Sequence, residues 1–379
     1  VCAGRDAVGL LPTGAGKSVT YMLPALLGIR PVLVVSPLIS LMADQLARAQ
    51  ALGLGAAALH AGLDGSRCHR VLADFGRGRV DLLLVAPERL NQPAFSKLLR
   101  PGAVGLLAVD EAHCVVHWGF DFRPDYLALA GLGRRLEAPV LAVTATATPQ
   151  VRAQLERVLE LRDPLRVATS FDRPNLYWSI MKVRSNEERW QRLRSSLDHP
   201  GDALVYAPTR ARVEALRHAL ARVGIEAEAY HAGLGAQERA RVQDRFLAGR
   251  VRVIVATNAF GMGVDKPDVR TVVHWAPPSS LEAWYQEAGR AGRDGAPARC
   301  VLLWHRDDFA LHRQLAVSGT PHREVRRAAA ARLRATHRLL RSRHCIRAQL
   351  LRYLGEVGGL SRHCGGCVRC TRRHRRRSL

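Results

Sequence analysis

The chain is 379 residues long with 47% apolar side chains, enough for two or three domains with cores of their own, and no apolar run reaches the roughly 18 residues of a membrane span. It carries 57 Lys and Arg against 33 Asp and Glu, a net charge of +24, which argues against an acidic protein or a membrane-embedded one and for a polyanionic partner. No secretory leader opens the chain, so a soluble intracellular protein of the bacterial cytoplasm or nucleoid is expected, and the lack of an initiator Met suggests a fragment.

Short apolar runs alternate with helical stretches through about residue 305, the pattern of α/β layers around parallel sheets. The first run, Ala7–Leu11, leads into Pro12-Thr13-Gly14-Ala15-Gly16-Lys17-Ser18 and then a helix through Leu27. Small residues between a strand and a helix let backbone N–H groups wrap phosphates, with Lys17 reaching the β/γ-phosphates and the Ser18 hydroxyl on Mg²⁺. Further strands are expected at Val32–Ser36, Leu82–Ala86, Leu106–Asp110 and Val140–Thr144. The fourth run ends in Asp110-Glu111-Ala112-His113, and an apolar strand ending in acid delivers carboxylates to a nucleotide crevice. Asp110 suits Mg²⁺, Glu111 suits orienting and activating the attacking water, and the spacing of His113 suits coupling.

A polar, Pro-containing stretch at Leu161–Arg184, with Asp172-Arg173-Pro174-Asn175 inside it, is expected to join two lobes. Beyond it, strands are expected at Ala203–Ala207, Val253–Thr257, Thr271–Trp275 and Cys300–Trp304. Three fragments of the first half recur in the second. Val34-Val35-Ser36-Pro37 matches Val205-Tyr206-Ala207-Pro208 and His60-Ala61-Gly62-Leu63 matches His231-Ala232-Gly233-Leu234, both at an offset of 171, while Leu84-Val85-Ala86 matches Ile254-Val255-Ala256 at 170. One such match would be chance; three at nearly one offset predict two related lobes. In the second, Gln286 to Gly295 holds Arg290 and Arg293 between glycines, placed for an arginine to meet charge developing on a transferred phosphoryl group.

After about Arg306 strand signals stop and the chain turns helical and Arg-rich: Pro321 to Leu379 holds 17 Arg against Glu324 and Glu356, a net +15 of the total +24. Codon bias would spread the excess evenly; clustering favours phosphate contact. The same region gathers Cys345, Cys364, Cys367 and Cys370, with His344 and His363 as alternative donors. In an intracellular chain such a cluster is more often a metal site than a disulfide framework. Four thiolates suit closed, tetrahedral Zn²⁺, and the helical, basic setting favours zinc over an iron–sulfur cluster.

Together these residues resemble the RecQ family of superfamily 2 DNA helicases, in the family's motif order from residue 4 to 370. Motif I is Thr13–Ser18, with Leu11 in the helicase form where the strict P-loop pattern has Gly. Motif Ia is similar to Val35–Gln45, motif II with its extension to Asp110–Pro124, motif III to Thr144–Thr148, motif V to Ala256–Pro267 and motif VI to Gln286–Arg293. The resemblance implies two tandem RecA-like lobes, residues 1–168 and 169–306, and a helical zinc-binding subdomain at 307–379 with a basic tail. ATP and Mg²⁺ would be held by Thr13, Gly14, Ala15, Gly16, Lys17, Ser18, Asp110 and Asp265, with Glu111, Gln286, Arg290 and Arg293 serving hydrolysis. His113, Trp118, Phe120, Phe122, Arg123, Thr144 and Thr146 would couple it to DNA, the aromatic rings stacking on bases. His117 and Phe120 replace the family's usual Gln and His. The match to the zinc subdomain selects Cys345, Cys364, Cys367 and Cys370 as ligands.

The implied activity is ATP-driven 3′-to-5′ movement on single-stranded DNA, with duplex unwinding in repair and recombination, by a monomer that works with single-strand-binding and other repair proteins. By that resemblance the sequence is expected to start after the family's adenine-recognising element and to end before its winged-helix and further C-terminal domains. Rival readings are an RNA helicase of the DEAD/DEAH type and a non-unwinding DNA-binding remnant.

Overall fold

The computed structural model of the chain describes residues 1–12, 16–37, 39–117, 124–260, 266–310, 323–356 and 363–371, with only the backbone of Ser40, His117, Pro124 and 323–325. Two compact units emerge, Val1–Ser170 and Phe171–Leu379.

The first unit is built on β1 (Ala7–Leu10), β2 (Val32–Val35), β3 (Ala56–Leu59), β4 (Leu82–Val85), β5 (Leu106–Val109), β6 (Val140–Thr144) and β7 (Leu165–Ala168). All pair in parallel, in the order β3-β4-β2-β5-β6-β1-β7. β2, β4, β5 and β6 are buried at every position, which is why they read as unbroken apolar runs: a parallel sheet has helices on both faces and no wet side. Tyr21, Met22 and Ala25 of the helix Val19–Leu26 pack against Val32, Val34, Leu106 and Ala108 in one core cluster.

The second unit carries β8 (Leu176–Lys182), β9 (Asp202–Tyr206), β10 (Ala227–Tyr230), β11 (Val253–Ala256), β12 (Val269–His274) and β13 (Ala298–Trp304), in the order β10-β11-β9-β12-β13-β8. Shifted by seven strands, this is the order β3-β4-β2-β5-β6-β1 of the first sheet. The repeated fragments fall on equivalent elements: β2 and β9, β4 and β11, and the turns that follow β3 and β10. Those turns also share a bond, for Gly62 N–H donates to His60 Nδ1 at 3.1 Å and Gly233 N–H to His231 Nδ1 at 3.2 Å. The expected α/β class with two related parallel-sheet lobes is what the chain forms.

The junction expected at Leu161–Arg184 holds two strands, β7 and β8. β7 closes the first sheet as an exposed edge, which explains its polar look, and β8 pairs with β13 along its whole length. Only the short connection around Ser170 and Phe171 divides the units. In the C-terminal region the helices include Arg323–Arg341 and Ile346–Tyr353. Among the described residues no helix is long and apolar enough to cross a membrane.

Candidate active site and metal centre

Parallel strands bring the chemistry to their C-terminal ends. β1 feeds the turn to the helix Val19–Leu26, and Gly16 there has φ +74°, a left-handed conformation that costs Gly little. Lys17 and Ser18 follow; Ser18 takes the N-cap position, yet its side chain makes no capping bond, so the hydroxyl is free of that duty. Thr13, Gly14 and Ala15 lie outside the described residues.

β5 delivers Asp110 and Glu111 opposite that turn. Lys17 Nζ donates to Glu111 Oε1 at 2.7 Å, with both side chains mostly buried. Glu111 sits at φ +45°, rare for a residue with a side chain; such backbone conformations concentrate where a reacting group must be aimed. Burial works against its ionisation, but the Lys17 ammonium and His113 outweigh it and hold the carboxyl well below the usual range. Asp110 is 2% exposed; burial and the neighbouring Glu111 push its carboxyl up, while Lys17 and a bond from Gln45 Nε2 at 2.9 Å pull the other way. Tyr21 Oη donates to the same Asp110 oxygen at 3.4 Å. A buried carboxylate whose charge is opposed on two counts gains from a dication beside it, and Ser18 and Asp110 are donors of the hard oxygen type that Mg²⁺ takes.

His113 Nδ1 lies 2.8 Å from Thr144 Oγ1 and 3.3 Å from Glu111 Oε2. Burial opposes the imidazolium, yet Cys114, whose sulfur is 3.7 Å from Nε2, and Glu111 outweigh it and push the ring up to about 10. Thr144 Oγ1 in turn donates to Thr146 O at 3.3 Å. Four residues expected to serve hydrolysis or coupling (Glu111, His113, Thr144 and Thr146) thus form one contiguous line. Trp118, Phe120, Phe122 and Arg123 lie outside the described residues, as does Asp265.

In the second unit the helix Leu281–Ala288 carries Gln286, and Arg290 and Arg293 follow on the turn after it. Both arginines act on Tyr206 at the end of β9: burial pushes that phenol up to about 12, with Arg290 and Arg293 opposing and Glu287 assisting. Glu287 accepts from buried His274 at 2.8 Å. The arginine-bearing turn is clasped from behind. Arg173 donates to the carbonyls of Gly289, Ala291 and Gly292 at 3.2, 3.0 and 2.7 Å, and Asn175 Nδ2 to those of Gly292 and Ala296 at 2.8 and 2.9 Å. At Gly292, φ +53°, a Cβ would stand 2.6 Å from Ala296 O and from Asn175 Nδ2, so only Gly fits. In the sequence Arg173 and Asn175 read as part of a polar junction, Gln45 only as the end of motif Ia, and Tyr21 as an ordinary helix residue. Their partners lie 65 or more residues away, and no local pattern announces them.

The sulfur atoms of Cys345, Cys364, Cys367 and Cys370 all lie within 4.8 Å of one another. Tetrahedral Zn–S bonds of about 2.3 Å place sulfurs roughly 3.8 Å apart, so the cluster fits zinc. Hydrogen bonds from Cys345 and Cys364 hold Cys367 far below the ordinary thiol range, and the same crowding drives Cys364 far above it, a conflict that a shared dication removes. Cys345 is the N-cap of the helix Ile346–Tyr353, its sulfur accepting from Ala348 N. The cluster is stitched to the sheet: Trp178 N–H of β8 donates to Gly366 O at 3.0 Å, and Arg347 Nη2 donates to the carbonyls of Pro174 and Leu176, each at 3.0 Å.

Comparison with known proteins agrees with this geometry. The family model of the DEAD/DEAH box helicase matches residues 1–155, that of the helicase conserved C-terminal domain 188–295, and that of the RecQ zinc-binding domain 306–371. The chain is 39% identical over 97% of its length to the ATP-dependent DNA helicase RecQ of Pasteurella multocida, covering 58% of that protein. It is 36% identical over 97% to the protein of the same description from Bacillus subtilis, covering 62%. It therefore spans about three fifths of the length of these relatives. Among solved structures, S. cerevisiae Dbp5 bound to RNA and ADP BeF3 superposes with a TM-score of 0.65 at 17% identity, over 87% of this chain and 89% of that one. The DUF1998 helicase MrfA bound to DNA gives 0.65 at 19% identity, over 83% and 49%. At such identities the likeness speaks for the fold alone.

Proposed function

We propose, for a chain that belongs to the RecQ family of helicases, that it is an ATP-driven motor on DNA that steps 3′ to 5′ along a single strand and parts duplex ahead of it in repair and recombination. The observation that carries this reading is the line Lys17–Glu111–His113–Thr144–Thr146, which ties a phosphate-binding lysine to the end of β6 through one buried carboxylate.

Lys17 serves two anions in turn. Its ammonium pairs with Glu111; the β- and γ-phosphates of ATP would compete for it and leave Glu111 to orient water and accept its proton. Mg²⁺, held through Ser18 and Asp110, supplies charge neutralisation on the phosphate oxygens. Because Glu111 also faces His113, a change in the state of the carboxylate is felt at Thr144 and Thr146, and movement of β6's end is felt at the carboxylate. Arg290 and Arg293 stabilise charge on the transferred phosphoryl group, and Trp118, Phe120, Phe122 and Arg123 engage the strand. Zn²⁺ on the four cysteines holds the C-terminal region against β8. The protein would act as a monomer in the cytoplasm or nucleoid, beside single-strand-binding proteins.

The test is ATP hydrolysis with single-stranded DNA, duplex DNA and RNA, followed by strand separation on 3′- and 5′-tailed duplexes. Stimulation by single-stranded DNA and unwinding of the 3′-tailed substrate are expected. Equal stimulation by RNA would turn the assignment to an RNA helicase, and hydrolysis without unwinding would reduce it to a translocase.

A further inference from the structure

At the C-terminal edge of the second sheet, β8 and β13 end side by side at Lys182 and Trp304. The helix Arg323–Arg341 presents one face to this edge, since Ala330, Leu333, Arg334, His337 and Arg341 follow helical spacing and line one cavity with the strand ends. The cavity holds about 640 Å³, within the range of sites that take a small organic group.

Its lining is aromatic at the base and cationic at the rim. Trp304 and Phe309 meet edge to face at 6.1 Å, and Phe309 meets His337 at 4.4 Å. Burial, with Arg341 adding to it, holds His337 below its ordinary range, so the ring is neutral at neutral pH and offers a π face. Lys182 Nζ stands 5.7 Å over the Trp304 ring, and Arg306, Arg334 and Arg341 complete the rim. Among the described residues no carboxylate lines the cavity or pairs with any of these four cations. The two acids that follow Arg306 are engaged elsewhere: Asp308 accepts twice from Arg189 at 2.9 and 3.0 Å, and Asp307 pairs with His305 at 3.3 Å. Arg241 and Arg245, on an ordinary outer helix of the same unit, each find a glutamate, at 2.7 Å in both cases. Four cations around aromatic rings, with no acid beside them among the described residues, suit an anion that carries a flat ring.

We infer that this cavity is a second nucleic-acid site, which takes an unstacked nucleotide of a single strand with its base on Phe309 and its flanking phosphates on Arg334 and Arg341. A duplex keeps its base faces covered and cannot use the rings, whereas a single strand can use rings and cations together. The inference deepens the DNA reading above and rests on it for the choice of a DNA strand as ligand.

The test measures binding of a fluorescein-labelled oligo(dT) of about 15 nucleotides to the whole chain without ATP, over a range of salt. The proteins compared are wild type, the double variant Arg334→Gln/Arg341→Gln, and Phe309→Leu. The charge variant should bind about tenfold more weakly, with a salt slope shallower by about 1.4 for two lost phosphate contacts on a single strand. Phe309→Leu should weaken binding about tenfold with the slope unchanged, since stacking releases no counterions. Thermal unfolding of each variant shows that the fold is retained; if Phe309→Leu does not fold, the exposed charge pair alone decides. Affinities within about twofold of wild type would overturn the site, and displacement of the oligonucleotide by free dTMP at equal nucleotide concentration would overturn its assignment to a strand. If DNA fails to stimulate ATP hydrolysis while the variants still lose the oligonucleotide, the motor reading falls and the cavity assignment stands; the reverse pair of results removes only the cavity.

Discussion

Lys17 and Glu111, 94 residues apart in the chain, meet at 2.7 Å in the first unit, which sets the ammonium after β1 against the carboxylate at the end of β5. The Lys17 ammonium, with His113, keeps the buried Glu111 carboxyl ionised.

Replacing Glu111 by Gln removes the proton acceptor but leaves the shape of the site. Turnover should fall by about 10²–10⁴-fold, the usual worth of a general base. ATP binding should be kept or tightened, because Lys17 loses its competing anion. Single-turnover hydrolysis together with titration of a fluorescent nucleotide checks both halves, and undiminished DNA-stimulated hydrolysis would overturn the role.

His113 predicts a pH dependence of stability. Its folded-state value is pushed up to about 10 from an ordinary value near 6.5, so the favourable charge is fully present below about pH 6.5 and is lost as the pH rises through about 10. Thermal midpoints of wild type and His113→Gln should differ most near pH 6 and converge towards pH 10. A gap that is constant across that range would show that His113 is neutral in the folded protein.

Arg173 holds the turn of Arg290 and Arg293 by three carbonyl bonds, which a lysine cannot reproduce with a single ammonium. Arg173→Lys should lower kcat for ATP about tenfold while KM changes by less than about twofold, because the turn is misplaced only when charge develops on the phosphoryl group. A purely structural role would instead lower the thermal midpoint and leave kcat per folded molecule unchanged.

Zinc removal should be felt beyond the cysteines. Cys367 forms a bridge with Trp178 of β8, and Arg347 holds the segment that carries Arg173 and Asn175. Cys367→Ser, or prolonged chelation, should release about one zinc per chain and lower the thermal midpoint by roughly 10 °C, the equivalent of about 4 kcal/mol. Because Trp178 packs edge to face on Trp284 at 5.2 Å, tryptophan fluorescence should change with metal loss. A protein with no bound zinc and an unchanged midpoint would exclude the structural role.

Much of the fold was legible because a parallel strand buried on both faces writes itself as a short apolar run. β1, β2, β4, β5, β6, β9, β11, β12 and β13 all stand out as such runs, with ends shifted by two residues at most. β3, β7, β8 and β10 were passed over. β3, β7 and β10 carry exposed or half-buried positions that dilute the apolar signal, and β8 breaks its run with Ser179 and lies beside a proline-containing connection.

The sequence by itself determined the two related lobes, the acidic strand end at Asp110 and Glu111, the lysine and serine before the helix Val19–Leu26, and the four cysteines. Each is written within a few residues or repeated at one offset. Only the tertiary structure decided that Lys17 is paired with Glu111, that His113 joins Glu111 to Thr144, that Gln45 and Tyr21 serve Asp110, and that Arg173 and Asn175 clasp the arginine turn. Those relations depend on which strand ends lie next to one another. In a parallel sheet strand neighbours come from distant parts of the chain, so no local pattern of residues can record them.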